Sequence, residues 1–156
     1  MSEAVAILVD ASTLARGRLM AIDLGDRRVG IAISDPSGMI ASPAGFIDRR
    51  PGKRPPLTAI LARGVELEAR GFVVGLPLDG NGDESPRALE ARRLGEELAN
   101  RTGLPVAMVD ERFTTSAALK AIAEMDGSTR GRKGDVDAMA ATLLLQHAMK
   151  IAENAR

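Results

Sequence analysis

The sequence contains no cysteine, no tryptophan and no tyrosine, only three phenylalanines, and a single histidine. Without cysteine there is no disulfide, no thiolate metal site and no cysteine nucleophile. With so few rings, nucleic-acid binding that stacks bases on aromatic platforms is excluded as the main mode of recognition. The lone histidine, His147, lies late in a helical pattern. A histidine-rich zinc site is therefore excluded, and serine–histidine catalysis would have to run through this one residue. The formal net charge is zero, so the molecule as a whole does not attract a polyanion. No apolar run reaches the roughly 20 residues of a membrane span. The N-terminus also lacks the basic start and apolar core of a secretory signal. The expectation is a cytoplasmic protein with no membrane partner.

What remains is an ordinary globular composition: 156 residues, 45% hydrophobic and 27% charged, enough for one domain with one core. The charges are unevenly spread. Arg49, Arg50, Lys53 and Arg54 form one basic group, and Arg130, Arg132 and Lys133 form a second, both in turn-rich sequence. Such runs are more often solvated loops than sites. The functional alternative is two arms of a surface that contacts phosphates.

Residues 1–18 read as an N-terminal extension, mobile or carrying a short helix capped at Asp10-Ala11-Ser12. Residues 19–156 read as a single domain. Three successive strands fit residues 19–47, with turns at Gly25-Asp26-Arg27 and Asp35-Pro36-Ser37-Gly38. Pro43 marks the third as an edge or bulged strand. A helical stripe through Leu57, Ile60, Leu61 and Val65 follows, ending near Gly71. Phe72-Val73-Val74-Gly75-Leu76-Pro77 is a continuous apolar run, as a strand covered on both faces should be. Ser85-Pro86 opens a second helix that Gly103 stops, and Pro105-Val106-Ala107-Met108-Val109 is a fifth strand. Thr114-Thr115-Ser116 caps a further helix ending near Gly127, a basic glycine-rich loop spans residues 128–135, and a last helix begins near Asp135. The order predicts an α/β fold: a mixed five-stranded sheet, three antiparallel strands followed by alternating helix and strand, flanked by helices.

Acidic residues stand at special points of this pattern. Asp23 interrupts the apolar run Leu19-Met20-Ala21-Ile22-Asp23-Leu24-Gly25, where a strand would otherwise carry an apolar side chain. A charge there must be paired, solvated or bound to a cation. Asp110 and Glu111 end the fifth strand, and Asp137 sits in the first turn of the last helix, two residues after Asp135. Asp135 and Asp137, taken alone, are accounted for as first-turn acids favoured by the helix dipole. Strand ends and helix starts are nevertheless where an α/β sheet gathers its functional groups. If the strands are neighbours, these carboxylates converge as hard oxygen ligands suited to Mg²⁺ or Mn²⁺. Two such ions, roughly 3.5–4 Å apart, stabilise the attacking and leaving oxygens of a phosphodiester. There is no Walker-type phosphate loop and no dinucleotide glycine fingerprint.

Four blocks carry a resemblance. They are Ala21-Ile22-Asp23-Leu24-Gly25-Asp26-Arg27-Arg28-Val29-Gly30-Ile31-Ala32-Ile33-Ser34-Asp35-Pro36, Val73-Val74-Gly75-Leu76-Pro77-Leu78, Val109-Asp110-Glu111-Arg112-Phe113-Thr114-Thr115 and Val136-Asp137-Ala138-Met139-Ala140-Ala141. In this order, and spanning nearly all of residues 19–149, they resemble the YqgF/RuvX family of pre-16S ribosomal RNA nucleases. The resemblance implies a ribonuclease H-like fold related to Holliday-junction resolvases, and divalent-metal-dependent phosphodiester cleavage that trims the 5′ end of the small-subunit rRNA precursor. It carries the catalytic and metal-binding roles onto Asp23, Glu111 and Asp137, with Asp110 as the alternative to Glu111. Arg27 and Arg112 match basic motif positions. With Arg28, Arg49, Arg50, Lys53, Arg130, Arg132 and Lys133 they form the expected nucleic-acid-binding set. The implied partner is structured RNA, with branched DNA as the resolvase alternative, and the chain acts as a monomer or homodimer. A non-catalytic nucleic-acid-binding or transcription-associated factor is the rival reading from another class. A sugar-kinase or actin-like ATPase, whose first strand carries a similar Asp-Leu-Gly run, needs a second lobe for which this chain is too short.

Overall fold

The computed structural model describes residues 8–50, 52–78, 80–114 and 133–156. Leu19–Leu24 (β1), Arg28–Ser34 (β2) and Ala41–Asp48 (β3) form an antiparallel meander. Gly71–Leu76 (β4) and Val106–Asp110 (β5) add in parallel on the other side of β1, giving the order β3-β2-β1-β4-β5. This is the expected mixed five-stranded sheet. β1 and β4 are buried at every position, which explains why neither alternates between apolar and polar residues. β3 is an edge strand, and Pro43 sits opposite Ala32 where the β2–β3 register shifts, so its missing N–H disturbs a ladder already interrupted.

The two faces of the sheet are packed differently. One carries Met20, Ile22, Leu24, Val29, Ile31, Phe72 and Val74 against Leu57–Glu66 (α1) and Pro86–Thr102 (α2), through Ile60, Leu94 and Leu98. Ser85 caps α2, its hydroxyl accepting from the Ala88 N–H, and Gly103 closes it with φ +70°. The other face carries smaller residues, among them Ala21, Ala32, Val73, Ala107 and Val109. Lys133–Asn154 (α3) covers it through Ala141, Leu144, Leu145 and Ala148.

Residues 8–14 pack against the sheet, and the short helix expected there is a single 3₁₀ turn, Ala11–Thr13, capped by Asp10, whose carboxylate accepts from the Ser12 N–H at 2.9 Å. Val9 bridges to Ala107 on the outer edge of β5, its N–H donating to the Val106 carbonyl at 2.9 Å. Ala11 and Leu14 are buried in the α3-side core. An edge strand leaves a row of unpaired backbone groups, and this segment satisfies part of that row. The helix expected from Thr114-Thr115-Ser116 to Gly127, and the loop at 128–132, lie outside the described residues. Among the described residues no helix is long and apolar enough to cross a membrane.

Candidate active site

Asp23 points to the α3 face of β1 and is 1% exposed. Its two lateral neighbours on that face are glycines. Gly30 is its antiparallel partner on β2. Gly75 lies on β4 one step beyond the pair Ile22–Val74. Each glycine is the seat of another acid. A Cβ at Gly30 would run into the carbonyl oxygen of Asp137, so the first turn of α3 rests directly on the sheet there. A Cβ at Gly75 would come within 2.5 Å of Glu111 Oε1, so that carboxylate lies across β4. Three acids distant in sequence are thus gathered on one face, in a row set by Gly30, Asp23 and Gly75. A mid-strand glycine signals close approach, and this signal in the sequence could have identified both seats.

The turn after β5 gives Asp110 and Glu111 different surroundings. Glu111–Phe113 is a single 3₁₀ turn capped by Asp110, whose carboxylate accepts from the Arg112 N–H at 2.9 Å. The Arg112 guanidinium closes on the same carboxylate, Nη2 to Oδ2 at 2.8 Å. That hydrogen bonding holds the Asp110 carboxyl below its ordinary range, outweighing partial burial. Asp110 is therefore engaged by Arg112, and Glu111 reaches over Gly75 on the side of Asp23.

Asp137 is brought to the row by its backbone, while its carboxylate is held by Arg28, Nε to Oδ2 at 2.9 Å. Both side chains are largely shielded, at 23% and 15% exposure. In this arrangement no three His, Cys, Asp or Glu side chains among the described residues stand together as a metal cluster. The donor chemistry still fits a hard divalent cation. The Glu111 carboxylate lies over Gly75, on the strand beside that of Asp23, and the backbone of Asp137 rests on Gly30, across from Asp23 on the other side. Carboxylate oxygens are donors of the kind a hard divalent cation takes.

The basic residues divide sharply. Arg27, Arg50, Lys53 and Arg54 are exposed around the acid-bearing end of the sheet. Arg49, expected to face a phosphate, does not: its side chain is 7% exposed. It donates to the carbonyls of Gly25 and Lys53 at 3.0 Å each and pairs with Glu90 of α2 at 2.6 Å. It staples the β1–β2 turn, beside Asp23, to the loop after β3 and to α2. Arg28 likewise faces Asp137 rather than solvent. Arg112 folds over Asp110 and packs on Gly82. Arg130 and Arg132 lie outside the described residues, and Lys133 opens α3. A further cation, which nothing in the sequence singles out, is Arg87 in the first turn of α2, exposed and 3.4 Å from Asp26 in the β1–β2 turn. Its helix falls after a polar loop, and only the fold brings that loop to the same rim.

Known proteins resemble this chain in both sequence and fold. Residues 17–151 match the family described as RuvX, Holliday junction resolvase. A Bradyrhizobium diazoefficiens protein named "Putative pre-16S rRNA nuclease" is 38% identical over 151 residues, 96% of this chain and 93% of the relative. One of the same name from Acidiphilium cryptum is 39% identical over 148 residues, 94% of this chain and 92% of the relative. The structure of Thermus thermophilus RuvC in complex with a Holliday junction substrate superposes with a TM-score of 0.54 at 15% identity, covering 88% of this chain and 97% of RuvC. That likeness identifies the sheet as ribonuclease H-like. Matches so long, at such identity and across nearly whole proteins, make this chain a member of the RuvX family.

Proposed function

We propose that this chain is a divalent-cation-dependent endonuclease that trims the 5′ end of the small-subunit ribosomal RNA precursor. The observation that carries the reading is the row Gly30–Asp23–Gly75, which seats Asp137 and Glu111 on either side of a buried carboxylate. The relatives at 38–39% identity, both named for pre-16S rRNA, favour that substrate. Asp23 and Glu111 would hold Mg²⁺ or Mn²⁺, with Asp137 as the third ligand. When bound, the cation supplies positive charge where negative charge develops on the phosphate and makes water a better nucleophile at neutral pH.

The protein's own groups supply the rest. Gly25 keeps the β1–β2 turn tight: its N–H donates to the Arg28 carbonyl at 3.0 Å, and a Cβ there would sit 2.7 Å from that oxygen. The turn and its Arg49 staple therefore tie the end of β1 to the loop after β3 and to α2. Arg27, Arg50, Lys53, Arg54 and Arg87 line the rim and would meet backbone phosphates, positioning RNA by shape and charge rather than by base stacking. Binding should accordingly weaken steeply with salt.

The test is cleavage of a precursor RNA carrying its 5′ leader, with wild type and Asp23→Asn, in Mn²⁺ and in EDTA. Cleavage by wild type only, and only with Mn²⁺, is the expected result. Equal cleavage by the variant would remove the reading. A four-way DNA junction as competing substrate decides between RNA processing and the resolvase activity in the family's description.

A further inference from the structure

We infer that Arg28 is an internal latch: it occupies Asp137 in the free protein and surrenders it when an RNA phosphate draws the guanidinium away, so that cation and substrate binding are coupled. The inference rests on the cation site proposed above. Asp137 has its backbone fixed on Gly30, beside Asp23, yet its carboxylate is turned to Arg28 Nε at 2.9 Å. Arg28 begins β2 on the same face as Gly30, two residues nearer the β1–β2 turn and the basic rim. Its backbone is pinned by the Gly25 N–H. Its side chain thus lies between an acid of the site and the rim over which a phosphate would arrive.

The attraction within an ion pair this shielded is screened less by water and salt than that of an exposed one. A cation that needs Asp137 must compete with it. If the latch is closed in about nine molecules of ten, the apparent cation affinity falls about tenfold. A ligand that opens the latch restores that factor, and linkage makes the effect reciprocal. Arg27 provides the control: it is adjacent, carries the same charge and is exposed in the turn.

Two titrations on the full chain test this, with circular dichroism establishing that each variant is folded. Free Mn²⁺ is followed by electron paramagnetic resonance without RNA. Arg28→Gln should bind Mn²⁺ about tenfold more tightly than wild type, and Arg27→Gln less than about threefold. Arg28→Gln no tighter than Arg27→Gln would overturn the latch. The underlying site is judged separately: if Asp23→Asn binds Mn²⁺ as well as wild type, the cation reading itself fails. The second titration follows fluorescent duplex RNA in EDTA by anisotropy. Asp137→Asn frees Arg28 and should tighten RNA binding more than Asp135→Asn, which removes an exposed acid two residues away. The gain should vanish in the Arg28→Gln/Asp137→Asn double variant. Equal gains from Asp137→Asn and Asp135→Asn would overturn the inference without reference to any metal.

Discussion

The two faces of one sheet do different work, and the size of their residues separates them. Toward α1 and α2 the strands present Met20, Ile22, Ile31, Phe72 and Val74, large side chains that are fully or almost fully buried. Toward α3 they present Ala21, Ala32 and Ala107, with Gly30 and Gly75 flanking Asp23. The large face buries apolar area and so contributes more of the hydrophobic stabilisation. The small face lets a helix start and an acidic side chain lie against the strands. A buried polar side chain such as Asp23 stands on this face, where other elements come close.

That contrast can be broken from either side. The largest effect should come from Asp23→Asn. Outer-sphere groups behind metal ligands already cost 10–100-fold when removed, so loss of a proposed ligand should lower the cleavage rate by more than about 100-fold. Gel-resolved cleavage of leader RNA measures it. Leu98→Ala, on the large face, should cost about 2–5 kcal/mol in urea unfolding while leaving cleavage per folded molecule unchanged. Gly30→Ala should do the reverse: a smaller loss of stability, about 1–3 kcal/mol, from displacing the start of α3, and a large loss of cleavage because Asp137 moves with it. If Leu98→Ala disables cleavage and Gly30→Ala does not, the division between the faces is wrong.

Much of this was legible beforehand, for identifiable reasons. Asp23 stood out because a carboxylate inside an apolar strand must have a function or a partner. Ser85-Pro86 and Gly103 bounded α2 because caps are local chemistry, and the structure places them as caps. Glu111 and Asp110 could not be separated, because a 3₁₀ turn at a strand end decides which side chain turns back. In the sequence Arg49 and Arg28 are indistinguishable from their basic neighbours. Their burial depends on Glu90 and Asp137, 41 and 109 residues further along the chain. No run of sequence encodes such meetings.

The smallest expected effects are at the periphery of the small face. Arg112 and a capped turn hold the carboxyl of Asp110 below 3.8, and Ser37 and the N–H groups of Ile40 and Met39 do the same for Asp35. Both are more acidic folded than unfolded. The stability they add is complete above that pH and is lost as pH falls through their lowered folded-state values. Asp110→Asn should therefore narrow the gap between melting temperatures at neutral and acid pH slightly, with a minor effect on cleavage.

The most direct test of the central claim is a crystal of the full chain soaked in Mn²⁺ and measured at the manganese absorption edge. An anomalous peak within ligand distance of the carboxylates of Asp23 and Glu111 is the predicted result, with the Asp137 carboxylate released from Arg28. Manganese bound elsewhere, with those two carboxylates unliganded, would contradict it.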